Sequence, residues 1–214
     1  MGDEIISQYS KLRLEEEEGD VDLGDVVSDD PQDNLDLLLI GRMMTDRPYN
    51  VEAFKRTMKK VWAPVHNLVI RVLGPNLYAF QFFHWKDKEK VLQGRPWCFE
   101  NTLILMKEIE GDEQPKQVVL THSPFWVRIK KLPFNCRSNA HVKTLVAGMG
   151  ELIEIEEDIL GLDRYRRVKL LLDVTKPLLR VKRFKDRRGR EIEAEFVYER
   201  LPFFLLCLWY NGTC

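Results

Sequence analysis

Two groups of side chains in this chain have the types and spacing to act on a ligand. Tyr78 and Phe80 are separated by Ala79 within Leu77-Tyr-Ala-Phe-Gln-Phe-Phe83, so in a strand their rings share one face. Rings presented in this way stack on planar bases, each contact contributing about 1–3 kcal/mol. The second group is cationic. Residues 164–190 hold Arg164, Arg166, Arg167, Lys169, Lys176, Arg180, Lys182, Arg183, Lys185, Arg187, Arg188 and Arg190 against only Asp173 and Asp186. Bases grouped in this way neutralise phosphates, with an affinity that falls as salt rises. Both chemistries are binding chemistries. His66, His84, His122 and His141 occur singly, no G-x-S-x-G is present, and Gly148-Met-Gly150 ends a helical pattern where a phosphate loop would begin one. The chain is therefore expected not to be an enzyme. Each group also has a plain alternative. Aromatics are enriched in strands whatever their role, so both rings can equally pack beneath another part of the chain, and a cationic run can be a solvated face.

The elements that would position the rings lie between Leu37 and Ile109. Leu37-Leu-Leu-Ile40 is an apolar run of strand length. Asn50 caps a helix in which Val51, Phe54, Met58 and Val61/Trp62 recur on one side and Lys55, Arg56, Lys59 and Lys60 fill the other, and Pro64 ends it. Strands over 68–73 and 77–83 flank the turn Gly74-Pro-Asn76, a short helix runs from Asp87 to Gln93 and is closed by Gly94, and Thr102 to Ile109 is a further strand. The order βαββαβ predicts an α+β fold, a ferredoxin-like sandwich of the RNA-recognition-motif type. That motif carries its stacking aromatics in the third strand as [KR]-G-[FY]-[GA]-[FY]-V-x-[FY]. Here Asn76 to Phe83 keeps aromatics at Tyr78, Phe80 and Phe83 and the small Ala79, but lacks the leading base and the glycine; Leu39 stands where the first strand would carry its own ring.

A smaller, β-rich α+β half is expected over 125–202, after a linker at 110–124. Phe125 to Pro133 reads as a strand, Ser138 caps a helix bearing Val142, Leu145, Val146 and Met149, and strands follow at 151–156 and 167–174. Segments 178–185 and 191–200 form a hairpin about Asp186-Arg-Arg-Gly189. If Lys185 pairs with Arg190, then Lys182 faces Glu193 and Arg180 faces Glu195 as cross-strand ion pairs. Arg183, Lys185, the turn arginines and the Arg164 to Lys169 cluster are then left without partners. Between the halves there is only a loose echo of strand and helix.

The net charge of −1 averages two opposed regions. Residues 1–36 carry thirteen Asp or Glu against Lys11 and Arg13, a composition that predicts a disordered acidic tail. No apolar run approaches the roughly 18 residues needed to cross a membrane, and Met1-Gly-Asp-Glu lacks the features of a secretory signal. The scattered Cys98, Cys136, Cys207 and Cys214 do not suggest a disulfide framework. An intracellular setting, nucleus or cytoplasm, is expected.

Four segments carry a family resemblance: Leu39-Ile-Gly-Arg-Met43 with Arg47-Pro-Tyr-Asn50; Phe80-Gln-Phe-Phe-His84 with Gly94-Arg-Pro-Trp-Cys-Phe99; Phe125-Trp-Val-Arg-Ile129 with Leu132-Pro133; and Tyr198-Glu-Arg-Leu-Pro202. Together, from about Leu37 to Pro202, they resemble a plant retrotransposon-derived (LINE-type) family, DUF4283-like, whose members continue into a CCHC zinc knuckle. The resemblance implies nucleic-acid binding without catalysis. It also implies, in members with an intact C-x2-C-x4-H-x4-C knuckle, a zinc ion held by three thiolates and an imidazole. Here residues 203–214 supply only Cys207 and Cys214 and no His, so the chain as written is expected to hold no zinc and no cofactor. Phe204 to Cys214 can be encoded by a string that, read one base later, gives Phe-Cys-Tyr-Val-Cys-Gly-Ile-Met-Gly-His. A single-base shift that turned a knuckle into a degenerate remnant would account for this tail.

The expected partner is nucleic acid, single-stranded RNA above others, with Tyr78 and Phe80 stacking bases and Arg164, Arg166, Arg167, Lys169, Arg183, Lys185, Arg187, Arg188 and Arg190 holding phosphates. The alternative is a structural or protein-interaction domain, or a transposon relic without a ligand.

Overall fold

In the computed structural model the residues described are 35–109, 114, 117–158, 164–186 and 188–202, all within one unit, Asn34–Cys214. The expected acidic tail, apart from Leu35 and Asp36, and the remnant at 203–214 lie outside them.

The first sheet follows the expected βαββαβ order with one strand added. Its elements are β1 (Leu38–Met43), α1 (Val51–Trp62), β2 (Leu68–Gly74), β3 (Leu77–Phe82), α2 (Trp85–Gln93), β4 (Trp97–Phe99) and β5 (Thr102–Glu108). Asn50 caps α1, its side chain accepting from the Ala53 N–H at 2.9 Å, and α1 buries Phe54, Met58 and Trp62. α2 begins two residues before Asp87 because the His84 ring caps it, accepting from the Lys86 N–H. The added β4 is too short to show as a period; it pairs with β5 through Glu100 and Asn101, both at positive φ, as a tight hairpin turn requires. The strands run β2-β3-β1-β5-β4, every pairing antiparallel.

A second sheet is built from β6 (His122–Lys130), α3 (Asn139–Val146), β7 (Glu151–Ile155), β8 (Arg166–Asp173), β9 (Val181–Lys185) and β10 (Glu191–Tyr198). Its order is β7-β8-β6-β10-β9. Strand for strand this is the order of the first sheet, with β6 in the place of β1, α3 in that of α1 and β10 in that of β5. Only α2 has no counterpart. What reads in sequence as a loose echo is a repeated topology, hidden because the repeated faces differ in composition and one helix is missing.

The two faces of the first sheet enter two cores. Leu39, Tyr78, Phe80, Phe82, Ile104 and Met106 lie with Phe54, Met58 and Trp62 of α1. Gly41 makes room for this arrangement, since a Cβ there would stand 2.5 Å from the Phe80 ring. Ile40, Leu77, Ala79, Leu103 and Leu105, on the opposite face, belong to one buried cluster with Val118, Leu120, Phe125, Val127, Val142, Leu170 and Phe196. The two halves therefore share a core, and the segment joining them contributes Val118 and Leu120 to it.

Asp87 locks the approach to β2. Its buried carboxylate accepts from the N–H groups of Val65 (3.0 Å) and His66 (2.9 Å) and lies 3.1 Å from His66 Nδ1. Burial pushes this carboxyl up, yet the two backbone donors and the imidazole hold it below the usual carboxylate value. The folded state therefore binds the proton less readily than the unfolded chain. Its stabilisation is present above the ordinary aspartate pKa of about 3.9 and is lost as pH falls through the folded value. Asp87→Ala is expected to cost about 2–3 kcal/mol at neutral pH by removing a charged acceptor from two part-buried backbone donors. Denaturant melts should show the gap between wild type and Asp87→Asn narrowing below about pH 4.

Candidate nucleic-acid interface

The rings expected to stack on bases are sealed. Tyr78 is 1% and Phe80 0% exposed, with Phe54 4.6 Å from Tyr78 and Trp62 5.1 Å from Phe80, ring to ring. The Tyr78 hydroxyl is hydrogen-bonded to that of Tyr49, and burial first, then that bond, raises its pKa. The alternation of Tyr78 and Phe80 correctly put both rings on one face. It was the wrong face for a ligand, because an amphipathic α1 covers it. Both residues are therefore withdrawn as stacking residues.

A part-exposed face with the needed chemistry lies on the second sheet. Along β6, Phe125, Val127 and Ile129 are fully buried, which turns Trp126, Arg128 and Lys130 to the other side. Along β8, Val168, Leu170 and Leu172 are buried, which turns Arg167, Lys169 and Leu171 outward. The register sets Trp126 beside Lys169 and Arg128 beside Arg167. The Arg167 guanidinium lies 4.0 Å from the Trp126 ring centroid, Lys169 Nζ 5.7 Å from it, and the Arg128 guanidinium 4.9 Å from the Tyr165 ring. Such pairs contribute about 0.5–2 kcal/mol according to exposure.

Glu199 organises this face. Its carboxylate accepts from Arg167 Nε and Nη2 at 2.9 and 2.8 Å and from Arg128 Nε at 2.6 Å. Glu156 accepts from Arg167 Nη1 at 2.7 Å. The hydrogen bond from Arg167 is the main reason the Glu199 carboxyl is held low, and the same bond raises the guanidinium, so both stay charged across the physiological range. The Glu199 N–H donates to the Trp126 carbonyl at 2.8 Å. Thus Phe125-Trp-Val-Arg-Ile129 and Tyr198-Glu-Arg-Leu-Pro202, far apart in sequence, form one cluster. The signal for Trp126 was present in the strict alternation of 125–130, which puts an aromatic and two cations opposite three apolar residues. Lys169 and Arg200 reach across to the C-terminal end of α2, donating to the carbonyls of Gln93 (3.3 Å) and Gly94 (3.4 Å), where the helix dipole favours cations.

Several of the expected phosphate-binding residues serve the fold instead. Arg166 is buried, with Nη2 donating to Asn139 at 2.7 Å and Nη1 3.5 Å from Asp158; it is withdrawn because no phosphate can reach it without dismantling that packing. The hairpin is one residue out of the expected register. Lys185 pairs with Glu191, Arg183 with Glu193 and Val181 with Glu195, so Lys182 and Arg180 do not stand opposite Glu193 and Glu195 in the ladder. The shift comes from Asp186, whose Oδ1 accepts from the N–H groups of Arg188 and Arg190, whose Oδ2 accepts from Arg190 Nε, and whose own N–H donates to the Arg190 carbonyl at 3.0 Å, so Arg190 stands opposite Asp186 and not Lys185. The Arg190 N–H is the foremost of the bonds that hold the Asp186 carboxyl low. Arg183 lies 3.4 Å from Glu193, so it is not partnerless. Lys182 Nζ turns inward to the carbonyls of Leu145 (2.8 Å) and Ala147 (3.2 Å) at the end of α3. Glu195 is taken by Lys131 at 2.5 Å. Arg164, Lys185 and Arg188 are exposed and make no ion pair among the described residues. Arg187 lies outside the described residues.

The histidines that occur singly in sequence are not all isolated in space. His66 and His84 stack at 4.3 Å, and His84 stacks on the exposed Trp85 at 5.9 Å. Among the described residues no three His, Cys, Asp or Glu side chains are grouped to hold a metal ion, and no helix is long and apolar enough to cross a membrane.

Residues 32–117 match the family described as "Domain of unknown function (DUF4283)". The matched segment takes in the first sheet, α1, α2 and the start of the connection to β6. Among solved structures, the chain is similar to the crystal structure of the first two RRM domains of yeast poly(U) binding protein. Identity is 13%, the match covers 76% of this chain and 98% of that one, and the TM-score is 0.27. No curated protein matches the chain.

Proposed function

We propose that this chain is a non-catalytic nucleic-acid-binding module that takes single-stranded RNA on the outer face of its second sheet. The observation that carries this reading is the pair of cation–ring stacks, Arg167 on Trp126 and Arg128 on Tyr165, held in place by one carboxylate, Glu199. Unpaired bases stack on aromatic rings and on guanidinium planes alike. A face on which both are already oriented spares part of the ordering cost of binding. Lys169 beside Trp126, with Arg164, Lys185 and Arg188, supplies cations for phosphates. No cofactor is required, and the setting is nucleus or cytoplasm. We also read the chain as plant retrotransposon-derived, with its zinc knuckle lost to a single-base shift beyond Pro202. Sequencing the transcript there tests this, and an in-frame sequence lacking the alternative reading ends it.

The ion pairing favours a second reading. Because Glu156, Glu193 and Glu199 compensate Arg167, Arg183 and Arg128, the face also suits a protein partner or a purely structural role. Titrating labelled single-stranded RNA across a salt series separates the two. Contact with four phosphates predicts a log–log slope of about −3. A slope near zero, or no binding, selects the protein-interaction or relic reading.

A further inference from the structure

β9 stands at one edge of the second sheet, and its free side carries unpaired backbone. The Asp186 N–H donates to the Arg190 carbonyl at 3.0 Å, and the Phe196 N–H donates to the Arg180 carbonyl at 2.8 Å. Antiparallel bonding alternates along a strand. Between those two points Lys182 and Phe184 therefore bond to β10, while the N–H and C=O groups of Val181, Arg183 and Lys185 point off the sheet. No described group bonds to them. The register with β10 runs through β9 without a bulge. β7, at the opposite edge, is interrupted between Leu152 and Glu154, which breaks the alternation that an added strand follows. The side chains give the β9 edge its chemistry. Val181, Arg183 and Lys185 share one face of the strand, and Val181 is 38% exposed. Arg183 meets Glu193 through Nε, at 3.4 Å, which leaves both Nη groups to donate. Lys185 is exposed and makes no ion pair among the described residues.

We propose that β9 takes an extended acidic peptide of a protein partner as an added strand. A free edge is a template for such pairing, in which backbone bonds supply affinity and alternate side chains choose the partner. A phosphodiester offers acceptors alone, whereas a peptide strand meets the outward N–H and C=O groups of β9 in turn. The charge pattern of the sheet sets the partner's sequence. Glu195, Glu193 and Glu191 of β10 stand opposite Val181, Arg183 and Lys185, so the strand already beside β9 carries an acid at every second position. On the free side an antiparallel peptide fits with acids opposite Lys185 and Arg183 and an apolar residue opposite Val181. From its N-terminus it reads acid-x-acid-x-apolar. Two copies of this chain joined through β9 would instead set cations against cations, which is unfavourable. The edge is separate from the Trp126 stack, so peptide binding stands or falls independently of RNA binding.

The test uses the full chain and fluorescence anisotropy with a labelled, end-capped peptide of seven residues, glutamate second and fourth, valine sixth and threonine elsewhere. Changing both glutamates to glutamine should weaken binding about two- to thirtyfold, the range of two cross-strand ion pairs. Methylating the backbone nitrogens of the two glutamates, which face β9, should weaken it at least about tenfold. Methylating those of the third and fifth residues, which face solvent, should change it little. Arg183→Gln should cost less affinity than Arg183→Pro, because proline also removes an outward N–H that β10 does not use. Should the proline variant unfold, the methylated peptides still decide the matter on the unaltered protein. Trp126→Ala should leave peptide binding unchanged. No binding of the glutamate peptide, equal losses from the two methylation patterns, or equal affinity for a peptide with lysine in place of glutamate overturns the edge site and leaves the RNA reading as it stood.

Discussion

Phe80→Ala is expected to destabilise the protein by about 3–5 kcal/mol, the usual cost of removing a fully buried phenyl ring. The ring is 0% exposed and packs against Trp62, Phe54 and Tyr78, and it crosses β1 where Gly41 leaves space. Against a total stability of about 5–15 kcal/mol, the loss should show as a large drop in the denaturation midpoint with little change in slope. The same substitution separates two pictures of β3. A base-stacking ring at an exposed position would cost RNA affinity and little stability. A core ring does the reverse, so long as binding is measured where the variant remains folded.

Trp126→Ala should give the complementary result. Its part-exposed ring lies under the Arg167 guanidinium, so its removal takes away the central stacking surface while Phe125 and Val127 keep β6 in the core. RNA affinity is expected to fall by about 1–3 kcal/mol, roughly five- to 150-fold, with a much smaller change in thermal stability than Phe80→Ala causes. Trp126→Phe should recover part of the loss, since a smaller ring still offers a π face. An unchanged dissociation constant for Trp126→Ala would remove the second sheet from consideration as a binding surface. Glu199→Gln adds an independent check. It keeps the side chain's size but removes the charge that orients Arg128 and Arg167, so affinity should fall while the guanidiniums remain.

Much of this architecture was legible because its signals are local. The spacing of Phe54, Met58 and Trp62 marks α1 whatever surrounds it, Asn50 and Ser138 announce helix starts through bonds to their own helices, and the alternation in β8 requires a half-buried strand. Some features fell below that threshold. The three residues of β4 are too few for a period, and the hairpin register depended on which turn donors Asp186 would take, a choice between geometries one residue apart.

What the sequence determined by itself was the list of elements, their order and the α+β class, since each depends on interactions within a few residues. It also determined that Tyr78 and Phe80 share a face and that Trp126, Arg128 and Lys130 share another. Only the tertiary structure decided which of those faces was covered. A period of two states that alternate residues point the same way; it does not state what lies over them. α1 closed over one face of the first sheet and the shared core closed over the other, so the motif-like rings became core. In the second sheet Phe125, Val127 and Ile129 entered the core shared with α3 and the first sheet, which left Trp126 on the other face, with Glu199 setting the guanidiniums around it.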